Sequence, residues 1–191
     1  MNYILNSIPS RTQKPRNSGF TMAMDKGLSL REVEDFIEAN GDYVDIVKLG
    51  WATSYVTTKL KEKIDIYRAA GIPVYFGGTL FEAFIIRDQF EDYRRLLDKY
   101  QLSFVEVSDG SITLDHDTKC EYIQTLAKDV TVLSEVGSKD AAKIIPPYKW
   151  IDQMQKELSA GAWKVIGEAR EGGTVGPVSY THLTLPTKRI V

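Results

Sequence analysis

Long apolar runs, cysteine pairs and an excess of charge of one sign are all missing from this chain, and each absence removes a class of protein. No apolar stretch approaches the roughly 18 residues of a membrane span, and the start has no basic segment followed by an apolar one. Cys120 is the single cysteine, so no internal disulfide can form. Lys and Arg number 24 against 26 Asp and Glu, giving a net charge of −2. A surface that neutralises phosphates along a nucleic acid is therefore not expected. The first βα turn, Met24-Asp25-Lys26-Gly27-Leu28, lacks the G-x-G-x-x-G of a dinucleotide site. What remains is one soluble globular domain, 43% hydrophobic over 191 residues, with the cytosol as its expected compartment and no membrane partner.

Short apolar runs begin near Thr21, Asp45, Pro73, Phe104, Val132 and Lys164. They recur about every 28 residues, close to one strand-plus-helix unit. Helical patterns fill the gaps. Ser29-Leu30-Arg31-Glu32 reads as a capping box ahead of a stripe of Leu30, Val33, Phe36 and Ile37, which Asn40-Gly41 stops. Further helices are expected from about Thr58 to Ala70, Phe84 to Tyr100, Asp117 to Ala127 and Pro147 to Ala160.

Six βα units fit either an open doubly wound sheet or a closed barrel. The strands of an open sheet are covered on both faces and read as continuous apolar runs, whereas a barrel points polar side chains into its mouth. Here charges interrupt the strands at Lys48, Glu106, Glu135 and Glu168, each flanked by apolar residues on the other face. Burying them separately would be costly, so together they point to one polar site. The expected fold is α/β, a TIM-type (β/α)8 barrel.

Seven blocks then carry a specific resemblance: Lys14-Pro15-Arg16, Thr21-Met22 with Asp25 to Leu28, Asp45 to Trp51, Gly77 to Glu82, Glu106 to Gly110, Ser134 to Lys139, and Glu168 to Glu171. In order and spacing the chain resembles the phosphosulfolactate synthase family over about residues 1–176. The resemblance implies a Mg²⁺-dependent carbon–sulfur lyase that adds sulfite to phosphoenolpyruvate, giving (2R)-phospho-3-sulfolactate.

That chemistry assigns roles. Glu106, Glu135 and Glu168 are the candidate Mg²⁺ ligands, two of them direct and one behind, with Asp25, Glu82 and Asp109 in reserve. Lys14, Arg16, Lys26 and Arg170 are candidates for holding the phosphate, carboxylate and sulfite. Lys139, and after it Lys48, is the candidate acid that protonates C2, its pKa lowered by neighbouring cations. Plainer readings stand beside these. Lys48 and Glu106 also read as an ion pair inside the barrel, Lys14 and Arg16 as a solvated arm, His116 as a neighbour of a helix cap, and Cys120 as packing.

Residues 177–191 have no helical stripe and match nothing at this point in the family; they look like translated sequencing-adaptor DNA. Residues 1–176 are thus expected to form a partial barrel of about six βα units, and 177–191 a non-native disordered tail. A chain left unclosed in this way is expected to be unstable or inactive, so a fragment without turnover is one alternative. A Schiff-base aldolase using Lys48 or Lys164 is another. A homo-oligomer is compatible with the resemblance.

Overall fold

The computed structural model describes residues 5–140 and 145–168. Its strands are β1 (Met22–Asp25), β2 (Ile46–Leu49), β3 (Val74–Phe76), β4 (Phe104–Ser108), β5 (Thr131–Val136) and β6 (Lys164–Gly167). All ladders are parallel and run in chain order, β1-β2-β3 in one sheet and β4-β5-β6 in the next. Strand β3 touches β4 without a ladder between them. Sequential order with no reversal is the order of a barrel wall and not of a doubly wound sheet.

Strand alternation sorts the side chains. Val47, Leu49, Val74, Phe76, Val105, Val107 and Val132 face outward into the main core under the helices. The other face carries Ile46, Tyr75 and Leu133, packed with Phe20, Met22, Phe104 and Ile166 as a plug inside the barrel. Each such fully buried aliphatic or aromatic side chain stabilises the fold by about 1.5–3 kcal/mol.

The helices are α1 (Leu30–Asn40), α2 (Thr53–Val56), α3 (Leu60–Ala69), α4 (Gly78–Ile85), α5 (Phe90–Tyr100), α6 (His116–Leu126) and α7 (Pro147–Ser159), with a 3₁₀ turn at Gly41–Tyr43. The expected capping box is present: Ser29 accepts from the Glu32 amide and Glu32 accepts from the Ser29 amide. The helix expected from Phe84 to Tyr100 is instead two, because the chain ends α4 at Ile85 and turns through Asp88 in the left-handed region, φ 54°. Periodicity alone could not show that break, since Phe81, Ile85, Tyr93 and Leu97 are all buried. Among the described residues no helix is long and apolar enough to cross a membrane. Residues 177–191, where the tail was expected, lie outside the described residues.

Candidate active site

Above the apolar plug, the inward-facing residues become polar. Lys48 on β2 lies 2.7 Å from Glu106 Oε1 on β4 and 3.6 Å from Glu135 Oε2 on β5. One side chain therefore spans both sheets, which requires the six strands to curve about a common axis. Glu106 has no exposure and receives a second donor, the Gly78 amide at 2.7 Å, from the first turn of α4. A helix N-terminus and an ammonium thus hold one carboxylate. Glycine is required there: a Cβ on Gly78 would stand 2.2 Å from Ser108 Oγ and 2.9 Å from Glu106 Oε1.

Burial opposes charge on Lys48, but Glu106 and Glu135 outweigh it and its pKa is raised. The sequence expectation had neighbouring cations lowering that pKa. The neighbours are carboxylates, so Lys48 stays an ammonium, and the plainer reading of an ion pair with Glu106 describes what the structure contains. The same ion pair disfavours Lys48 as an amine nucleophile. Lys164, the other Schiff-base candidate, sits at the opening of β6 with its Nζ over the Trp163 ring at 4.5 Å.

Glu135 and Glu168 come together at the ends of β5 and β6. Burial, followed by its hydrogen bond with Glu168, pushes the Glu135 carboxyl up to about 7. Glu168 Oε2 is buried without a hydrogen-bond donor, and Lys139 Nζ stands 3.9 Å from it. Close contact builds this corner: a Cβ on Gly110 would lie 3.3 Å from Glu168 Oε2 and 3.5 Å from Lys139 Cε.

Lys26 also lies at the carboxyl ends, in the turn after β1, with its ammonium 4.8 Å from the Trp51 ring centre. Trp51 and Ala52 are consecutive left-handed residues, φ 50° and 55°, a strained arrangement that costs about 1–3 kcal/mol per residue. Lys14 and Arg16 are not brought to this end. Lys14 Nζ donates to the Gly41 carbonyl, and Arg16 pairs with Asp45 at 2.9 Å, both at the entry to β2. A pattern of basic residues near a strand could not say which end of the barrel they face. Arg170 lies outside the described residues.

Among the reserve carboxylates, Asp25 faces outward and is held by Lys63 at 3.1 Å, Tyr67 and the Gly27 and Leu28 amides. Glu82 on α4 accepts from the Ser108 hydroxyl at 2.5 Å. Asp109 pairs with Lys119. His116 opens α6 as a half-buried residue whose Nδ1 lies 3.8 Å from Glu157, and Cys120 packs against the core. Sequence reading passed over Lys119 and Glu157, although a signal existed. Lys119 shares one stripe of α6 with Ile123 and Leu126, and Glu157 follows Trp150 by two turns of α7.

Six parallel strands, the first five each followed by helix, surround a plug of side chains with lysines and carboxylates gathered at the strands' carboxyl ends, and define a barrel enzyme of the TIM type. The profile described as (2R)-phospho-3-sulfolactate synthase (ComA) matches residues 9–183, reaching past the expected boundary at 176. A phosphosulfolactate synthase of Bacillus subtilis is 38% identical over 178 residues, covering 92% of this chain and 71% of that one. One of Methanothermobacter thermautotrophicus is 34% identical, covering 96% and 78%; one of Methanocaldococcus jannaschii is 41% identical, covering 81% and 64%. The chain belongs to the phosphosulfolactate synthase family. Among solved structures, the carboxyl transferase domain of Rhizobium etli pyruvate carboxylase superposes with a TM-score of 0.53 at 12% identity, covering 77% of this chain and 26% of that one. That likeness concerns the fold alone.

Proposed function

We propose that this barrel adds sulfite to phosphoenolpyruvate, giving (2R)-phospho-3-sulfolactate, and that the Glu135–Glu168–Lys139 corner is where the reaction occurs. The observation that carries the reading is this corner. Two adjacent buried carboxyls with a lysine beside them sit at the carboxyl ends of neighbouring strands.

Mg²⁺ fits part of the expected ligand set. Glu135 and Glu168 offer hard oxygens, one of them buried without a donor, and Mg²⁺ commonly takes only one or two carboxylates. Glu106 Oε1 is occupied by Lys48 and Gly78, while its Oε2 is buried without a hydrogen-bond partner, so any metal contact from Glu106 would come through Oε2 alone. Among the described residues no three Asp, Glu, His or Cys side chains converge as a metal cluster. Glu135 and Glu168 would hold the ion, with Glu106 behind them fixing Lys48. When bound, Mg²⁺ would supply positive charge opposite the oxygens that gain electron density.

Sulfite sulfur attacks C3 of the enol phosphate. The C2=C3 π electrons move toward the carboxylate, giving an enediolate, and a proton added at C2 completes the product. Lys48, held as an ammonium, places fixed positive charge at the floor of the site. Lys139 is more exposed than Lys48, 27% against 11% of the side chain, which supports it as the proposed donor to C2. It would give up its proton there and recover one from solvent. Lys26 would bind an anionic group from the β1 side, and Arg170 is retained as a candidate for the same task. Lys14 and Arg16 are left out, given their place at the entry to β2.

The test is sulfite-dependent consumption of phosphoenolpyruvate by the purified protein, with Mg²⁺ and with chelator. Consumption that needs both sulfite and Mg²⁺ is expected. A folded protein that consumes none overturns the substrate assignment.

A further inference from the structure

Behind the barrel wall, between α6, α7 and the ends of β4 and β5, lies a buried polar cluster that plays no part in the chemistry above. Lys119 is its centre, 1% exposed on its side chain. The Nζ donates to Asp109 Oδ1 at 2.8 Å and to the Glu135 carbonyl at 2.6 Å, and pairs with Glu157 Oε1 at 2.7 Å. Two of its donors make hydrogen bonds, to Asp109 and the Glu135 carbonyl, and Glu157 stands beside it as a buried counter-charge. Asp109 and Glu157 raise the Lys119 pKa against the opposing effect of burial.

An ion pair buried this deeply is a poor source of stability. Desolvation offsets most of the attraction, and an apolar pair of similar volume is often as stable. An apolar pair would not, however, donate to the carbonyl of Glu135. We infer that Lys119 is a positioning residue of the active site, with Glu157 as its counter-charge, acting through the Glu135 backbone and the Asp109–Gly110 turn.

Each connection lies one short contact away from a reacting group. The carbonyl that Lys119 grips belongs to the same residue whose carboxyl enters the mouth. The turn it grips is bonded to the loop after β5, where the Lys139 amide donates to the Gly110 carbonyl at 3.0 Å. Gly110 itself is the surface on which Glu168 and Lys139 rest, at 3.3 and 3.5 Å from the Cβ it lacks. One ammonium therefore fixes the relative placement of Glu135, Lys139 and Glu168. A displacement of about 1 Å at a reacting group can cost on the order of 100-fold in rate.

The inference rests on the proposed reading of the mouth, and its test separates the two. In the full-length protein, Lys119→Met with Glu157→Leu removes both buried charges at once. Its melting temperature is expected to stay within a few degrees of the parent, while kcat falls roughly 10- to 100-fold with KM for phosphoenolpyruvate changed less than about threefold. Glu157→Gln, which leaves Lys119 free to donate to Asp109 and Glu135, is expected to keep kcat within about threefold. A folded double variant with parental kcat overturns the inference. If the double variant does not fold, Asp109→Ala, which removes the acceptor that Lys119 grips, carries the test, since Asp109 is partly exposed: a parental kcat overturns the inference, and a roughly tenfold loss at unchanged KM supports it. Glu135→Gln separates the two failures, because full activity in that variant locates the error in the reading of the mouth and not in Lys119.

Discussion

Lys48 on β2 and Glu106 on β4 meet at 2.7 Å inside the barrel, although the strands that carry them belong to different ladders. The pair closes the interior where hydrogen bonding between β3 and β4 does not. Removing one partner leaves the other charged group buried. Lys48→Met is expected to cost about 3–5 kcal/mol of stability, measured by urea denaturation at neutral pH. A loss below about 1 kcal/mol would show that water or a shifted side chain compensates for the missing ammonium.

Gly78 tests the fit of α4 against β4. A methyl group there would overlap Ser108 Cβ at 2.6 Å and Ser108 Oγ at 2.2 Å. Gly78→Ala is expected to lower stability by about 1–3 kcal/mol and to weaken the amide bond to Glu106. Adding Ser108→Gly should recover part of the loss. No recovery in thermal melting would mean that the helix, and not Ser108, sets the clash.

The Glu135 carboxyl makes stability depend on pH when no metal is bound. Its pKa in the folded protein is about 7, above the ordinary 4.5. Between these values the native protein holds a proton that the unfolded chain has released. The contribution is therefore complete below about pH 4.5 and is lost as pH rises through 7, by up to about 3 kcal/mol. Mg²⁺ favours the ionised carboxyls, so adding it should flatten this part of the curve. Melting temperatures from pH 5 to 8, with chelator and with Mg²⁺, would decide; parallel curves would remove Glu135 and Glu168 from the metal proposal.

Lys139→Ala removes the proposed acid. The expected result is a kcat lower by about 100- to 10,000-fold with little change in KM for phosphoenolpyruvate. A raised KM at unchanged kcat would make Lys139 a binding residue only.

Much of the barrel is legible in the sequence because strand and helix periods differ. The alternation around Lys48, Glu106, Glu135 and Glu168 places these four charges on the inward face, and the structure has them there. Their division of labour is not legible. That Glu106 Oε1 is held by Lys48 depends on the Gly78 amide and on β2 curving toward β4, neither of which leaves a mark in local spacing. The ends of the strands are equally hidden from composition. Lys26 and Arg16 look alike in sequence, yet one follows β1 and the other precedes it. Lys119 and Glu157 were marked by charges on apolar helix stripes, a signal that becomes informative only when each stripe's partner is known.

The most direct measurement is the fate of solvent hydrogen. When the reaction runs in deuterium oxide, addition of sulfite at C3 followed by protonation from Lys139 predicts one deuterium at C2 of the sulfolactate product and none in the C3 methylene group, read by proton NMR. Deuterium at C3 would mark exchange through an enamine, the chemistry of a Schiff-base aldolase, and would contradict the assignment of the Glu135–Glu168–Lys139 corner.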